Sequence, residues 1–132
     1  MSERLEVNFP GGKRVDVEVG GFRIATDQGV KGGGDASAPE PFALFLASLA
    51  ACSGIYALNF CESRHLPTDG LGLSMDWTRE AGPPSKAKAT LHLRLPHGFP
   101  ERYRESIVRA MDLCAVKKNI IDPPEFEILI AD

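Results

Sequence analysis

From Pro41 to Cys61 the chain carries no charged side chain. The stretch is about as long as a membrane span. Its composition points elsewhere: it is rich in Ala, Ser and Gly and contains Asn59, no second such stretch exists, and no basic cluster flanks one side. The expectation is a helix buried on all sides within a protein core, with no membrane partner. Such a helix needs cover from the rest of the chain. At 132 residues, a single domain spanning 1–132 can bury most of the surface it exposes when unfolded, without disulfides or a metal.

Around that helix the pattern is mixed. Residues 5–9, 14–19 and 22–26 alternate in part. Val15, Val17 and Val19 share one face of a strand, and Asp16 and Glu18 occupy the other, wet one. Pro10-Gly11-Gly12 and Gly20-Gly21 suit tight hairpin turns, giving an antiparallel meander. Residues 27–38 read as loop. A helix is expected to start at Ser37 to Pro39, with Ser37 as N-cap, Pro39 in the first turn and Glu40 completing a capping box. It runs to about Arg64, and Pro67 prevents its continuation. Strands are expected at 71–79 and 87–95. A second long helix is expected from about Pro100 to Lys117, with Tyr103, Ile107, Met111 and Cys114 on one face. A last strand is expected from Phe126 to Ile130. The class is α+β, in the order β-β-β-α-β-β-α-β.

Charge and motifs exclude several functions. Net charge is −3 and no basic stripe appears, which disfavours nucleic acid as a partner. The start Met-Ser-Glu-Arg-Leu-Glu lacks a basic, then apolar leader, so the expected setting is the reducing cytoplasm, where thiols are free by default. His65, His92 and His97 are scattered with no metal-ligand spacing, so no metal site is expected. Gly32-Gly33-Gly34 lacks the lysine and Ser/Thr of a phosphate loop, so no nucleotide cofactor is expected either.

The three cysteines are the candidates for chemistry, set against the plain reading of a free cysteine as core filling. Cys52 and Cys61, nine residues apart in one helix, point to opposite sides and lie roughly 13 Å apart along the axis. A disulfide needs Cα atoms within about 7 Å, so any intramolecular bridge must use Cys114, and either Cys52–Cys114 or Cys61–Cys114 is open.

Ala38-Pro-Glu-Pro-Phe-Ala-Leu-Phe-Leu-Ala-Ser-Leu-Ala-Ala-Cys52 resembles the first-cysteine motif of the osmotically inducible protein C and organic hydroperoxide resistance family: a Gly-rich loop, a proline, an apolar helix, and a cysteine eleven residues after the proline. Arg64-His65-Leu66-Pro67 resembles the family's exit from that helix, and Met111-Asp-Leu-Cys114-Ala-Val its second-cysteine motif. The resemblance implies curved antiparallel sheets around two long helices in an intertwined homodimer. It implies that Cys52 attacks an organic hydroperoxide, that Cys114 closes a Cys52–Cys114 disulfide, and that an external dithiol reduces it, with no metal or flavin. In the hydroperoxide-resistance branch an arginine held by a glutamate activates the first cysteine. Arg14 matches the arginine, with Lys13 the competing choice. Phe42 stands where the glutamate would, and Glu40 lies on the other side of Pro41. Phe42 keeps a second reading open: a non-catalytic protein on the same fold that binds a small apolar ligand, or a redox sensor. Cys61 is expected to be buried core.

Overall fold

The computed structural model describes residues 2–131. The chain divides into two compact units, residues 1–47 and 48–132. The first holds an antiparallel sheet of three sequential strands, β1 (Glu6–Gly11), β2 (Arg14–Val19) and β3 (Phe22–Thr26). The turn between β2 and β3 is Gly20-Gly21, closed by the Val19–Phe22 pair. Both glycines have positive φ (55° and 81°), as a two-residue turn matched to strand twist requires. Alternation located these strands to within two residues, but it misassigned Asp16. That residue is buried rather than wet, because guanidinium groups of Arg14 and Arg23 close over it.

Residues 27–40 form a loop organised by a second buried acid, Asp27. One Asp27 oxygen accepts from the Ser37 hydroxyl at 2.6 Å and from the Ser37 N–H at 3.0 Å; the other accepts from the Gln28 N–H at 2.8 Å. Ser37 is therefore not the helix cap. The helix α1 (Pro41–Ser63) starts later than expected because the residue before a proline is pushed out of the helical region. Pro41 thus keeps Glu40 extended and itself takes the first helical position. Glu40 forms no capping box; its carboxylate accepts from the Gly29 N–H at 3.0 Å.

The Ser37 hydroxyl, then the Ser37 N–H, hold the Asp27 carboxyl at about 2, below its usual value, against the opposing effect of burial. The sign follows from linkage. The folded value lies below an unfolded value of about 3.9, so the stabilisation is complete above that value and is lost as pH falls towards 2. Carboxyl carbon NMR is expected to show Asp27 titrating near the bottom of the acid range, and Asp27→Asn to flatten the acid limb of the stability curve. A midpoint near 4 would contradict the hydrogen-bond assignment.

In the second unit, α1 buries the stripe Ser53, Ala57, Phe60 and Cys61, at helical spacing. Ala57, Phe60 and Cys61 meet Ile107, with Leu66, Leu71, Leu93, Leu95, Phe99 and Met111 packed around the cluster. The expectation of burial on all sides is corrected: one chain covers one stripe, and Ile55 stays 47 % exposed. The helix ends with His65 in the left-handed region (φ 54°) and Leu66 N–H returning to the Cys61 carbonyl at 2.9 Å. The Arg64 guanidinium lies 3.7 Å over the Phe60 ring, which meets Tyr103 edge-on at 5.8 Å. β4 (Gly72–Arg79) and β5 (Ala87–Arg94) form an antiparallel pair in continuous register, at the expected positions.

Two expectations fail here. The second long helix is two short ones, α2 (Arg104–Met111) and α3 (Ala115–Ile121), after a 3-10 turn at Glu101–Tyr103. The chain leaves helical geometry at Cys114 (φ −47°, ψ 123°), and a 2.6 Å ion pair from Lys117 to Asp112 spans the break. So α1 is the one long helix among the described residues. The strand expected at Phe126–Ile130 has no ladder partner among the described residues, and Phe126, Ile128, Leu129 and Ile130 are all more than three-quarters exposed. Alternation marks a segment that can pair; it does not supply the neighbour.

Candidate functional site

Cys52 lies on α1 one residue before the buried Ser53, at the margin of the packed stripe, and is therefore only partly covered. Cys114 is fully buried and sits at the N-cap position of α3. Both are free thiols. The structure brings the two side chains within hydrogen-bonding reach, and the Cys52 sulfur also accepts from the backbone N–H groups of Val116 and Ala115. The break between α2 and α3 makes this possible. A continuous helix would bond those amides to carbonyls one turn back, whereas a new helix start leaves them free.

These contacts set the electrostatics. The hydrogen bond from Cys114, then those from the Val116 and Ala115 amides, lower the Cys52 pKa from its ordinary value, outweighing a burial effect that raises it. Cys61 behaves oppositely. Burial raises its pKa, Glu62 adds to the rise, and Arg64 offsets part of it. Since the thiolate is the nucleophile, limited iodoacetamide labelling at neutral pH, read by peptide mass spectrometry, is expected to modify Cys52 at least roughly tenfold faster than Cys61. Labelling of Cys61 first would overturn the ranking.

In the first unit, Arg14 at the start of β2 is gripped by Asp16, with Nη2 3.0 Å from each carboxylate oxygen. Arg23 Nε approaches the same carboxylate at 3.5 Å. Lys13, the competing cation, lies in the turn before β2, its side chain against Gly33. Glu40 is engaged with Gly29 and not with Arg14. Sequence reasoning missed two elements. One is Asp16, two residues from Arg14 on the same strand face, a spacing that could have signalled an ion pair. The other is the pair of amides of Ala115 and Val116, for which no residue type gives a signal. His65 ends α1, His92 faces Asp76 across the β4–β5 ladder at 3.3 Å, and His97 lies in the following loop. Among the described residues no three His, Cys, Asp or Glu side chains are grouped as a metal ion requires.

The arrangement can carry thiol chemistry: a partly exposed, acidified sulfur beside a second, shielded one. The family model for OsmC-like proteins matches residues 32–129, a span that contains both cysteines and begins after Arg14. No curated protein matches the sequence significantly. Several solved structures share the fold. A provisionally named osmotic stress induced and detoxification response protein from Psychrobacter arcticus superposes with a TM-score of 0.69 at 18 % identity, covering 87 % of this chain and 85 % of that one. An organic hydroperoxide resistance protein from Legionella pneumophila gives 0.60 at 18 % identity, over 91 % and 89 %. An OsmC-like protein of unknown function from Vibrio cholerae gives 0.67 at 10 % identity, over 90 % and 93 %.

Proposed function

Because this chain belongs to the OsmC-like protein family, we infer that it is a thiol-dependent peroxidase that reduces organic hydroperoxides through Cys52 and Cys114. The observation that carries the reading is the acidified Cys52 sulfur hydrogen-bonded to the buried Cys114 thiol. The Cys52 thiolate attacks one peroxide oxygen; the S–O bond forms as the O–O bond breaks, and the departing alkoxide takes a proton to leave as the alcohol. The Cys114 sulfur then attacks the sulfenic acid, forming the disulfide and expelling water. An external dithiol returns both thiols by exchange, and this chemistry needs no metal or flavin. Burial suits Cys114 to the second step, since a shielded sulfur meets its neighbour more readily than a peroxide. The resemblance assigns Arg14 as the activating cation. The same reading implies a homodimer, and three free thiols suit a reducing cytoplasm.

Leu49 and Tyr56 flank Cys52 on its helix face, three residues before and four after, and both are partly buried. An apolar rim gains roughly 25 cal/mol per Å2 of substrate surface, so a cumyl group contributes about 2–3 kcal/mol, or about 30- to 150-fold in specificity. The test is a steady-state assay with a dithiol reductant. Cumene hydroperoxide is expected to outrun hydrogen peroxide by that margin, and equal rates would sink the apolar-rim argument. Phe42, in place of an acid, favours a second reading: a protein of this fold that binds an apolar ligand without turnover. Reduced protein that keeps all its thiols in cumene hydroperoxide would select it.

A further inference from the structure

The break between α2 and α3 is centred on Cys114, and two charged side chains bridge it: Lys117 Nζ lies 2.6 Å from Asp112 Oδ1. Neither charge suits its own helix. Asp112 caps the C-terminal, negative end of α2, and Lys117 stands in the first turn of α3, at its positive end. Each is an unfavourable placement that the other offsets. The pair also belongs to the broken chain alone. In a continuous helix, residues five apart lie about 140° apart around the axis and cannot touch. Core packing does not aim α3, because none of its side chains is buried. Yet where α3 starts matters to the site: the Ala115 and Val116 amides donate to the Cys52 sulfur, and the buried Cys114 thiol reaches it as well. Were the helix continuous, those amides would return to the carbonyls of Met111 and Asp112.

We propose that the Asp112–Lys117 ion pair positions the thiol site: it favours the break over a continuous helix and so keeps Cys114 and the two amides against Cys52. Asp112 and Lys117 are positioning residues, since both act through the backbone between them. For the step with peroxide the proposal rests on the peroxidase reading; for the state of the Cys52 thiol it does not. Both partners are partly open to water, so the contribution is that of a surface ion pair, a few-fold in rate and not orders of magnitude.

The direction of one shift separates positioning from a simple field effect. Removing a carboxylate removes negative charge, which by field alone would lower the pH midpoint of Cys52 alkylation or leave it in place. Positioning requires the opposite. Asp112→Asn and Lys117→Met are each expected to raise that midpoint and to slow the reaction of reduced protein with cumene hydroperoxide by roughly three- to fivefold. The double variant is expected to match either single one, because a single contact is lost. Asp112→Lys combined with Lys117→Asp rebuilds the pair with its charges exchanged and is expected to restore the wild-type midpoint, which neither reversal achieves alone. Lys118→Met removes the neighbouring charge, leaves the pair intact and is expected to react like wild type. An Asp112→Asn midpoint at or below that of wild type would overturn the proposal, and so would a charge-exchanged protein no better than its single reversals. Asp112→Ser replaces Asp112→Asn, with the same outcomes, where the amide does not fold. A wild type inert to cumene hydroperoxide defeats the peroxidase reading by itself; the alkylation midpoints then decide the role of the ion pair, raised and restored midpoints upholding it and unmoved ones overturning it.

Discussion

Cys52→Ser is expected to abolish consumption of cumene hydroperoxide, while Cys114→Ser completes one turnover and then stalls. A serine hydroxyl at position 52 is not ionised at neutral pH, and the amides of Ala115 and Val116 cannot make it so. Loss of the nucleophile itself costs on the order of a thousandfold or more. Position 114 behaves differently. A serine there still offers an O–H to the Cys52 sulfur, so the first chemical step survives, but no second sulfur remains to expel water from the sulfenic acid. Rapid-mix thiol counting with a sulfenic-acid trap should give one equivalent trapped per Cys114→Ser chain and none per Cys52→Ser chain. Cys114→Ala removes the hydrogen-bond donor as well. It should therefore raise the pH midpoint of Cys52 alkylation, as loss of the largest contribution to its lowered pKa requires. In wild type, peptide mapping after mild oxidation should find Cys52 linked to Cys114. A Cys61–Cys114 link, or peroxide turnover by Cys52→Ser, would remove Cys52 from the mechanism.

Much of the fold was legible in the residues because local rules and tertiary structure agree there. Period-two alternation and the pairs Gly11-Gly12 and Gly20-Gly21 located the meander, and the same logic located β4 and β5. The start of α1 was misread because two valid signals competed. Ser37 has the chemistry of a cap, but Asp27, ten residues away, takes both its hydroxyl and its N–H. Pro41 was the decisive residue, since it constrains the residue before it.

The site divides in the same way. The resemblance singled out Cys52 and Cys114, and the structure brings these two side chains within reach of each other. What lowers the Cys52 pKa was not legible. Between Arg104 and Ile121 there is no glycine or proline, so nothing in helix propensity announces a break. Yet the break turns the amides of Ala115 and Val116 towards a sulfur in another element. Backbone donors have no sequence signature; they become visible only when the chain is folded. Asp16 failed for a related reason. Alternation separates the two faces of a strand but does not say which polar residue a pair of guanidiniums will close over.

The homodimer is expected to appear in sedimentation equilibrium at micromolar concentration as twice the 14.3 kDa chain mass. The argument is the apolar surface that one chain leaves open. α1 is long and apolar enough to cross a membrane by length and composition, yet a single chain buries only one stripe of it. Phe9 and Phe22 stand about three-quarters exposed on the sheet of the first unit, and Phe126 to Ile130 carries four large exposed apolar side chains. Each such side chain gains about 1.5–3 kcal/mol when fully buried, so covering even a few of them outweighs the cost of association. Ile55→Glu separates the possibilities. In an isolated chain that position is open to water and the helix accepts glutamate readily, so stability should change by no more than about 0.5 kcal/mol. In a dimer that covers α1, the same change buries an unpaired carboxylate and removes an apolar contact. It should then weaken association by about 3 kcal/mol or more, over a hundredfold in the dissociation constant. A wild type that sediments as a folded monomer, or an Ile55→Glu protein that dimerises as well as wild type, would leave α1 without its proposed cover.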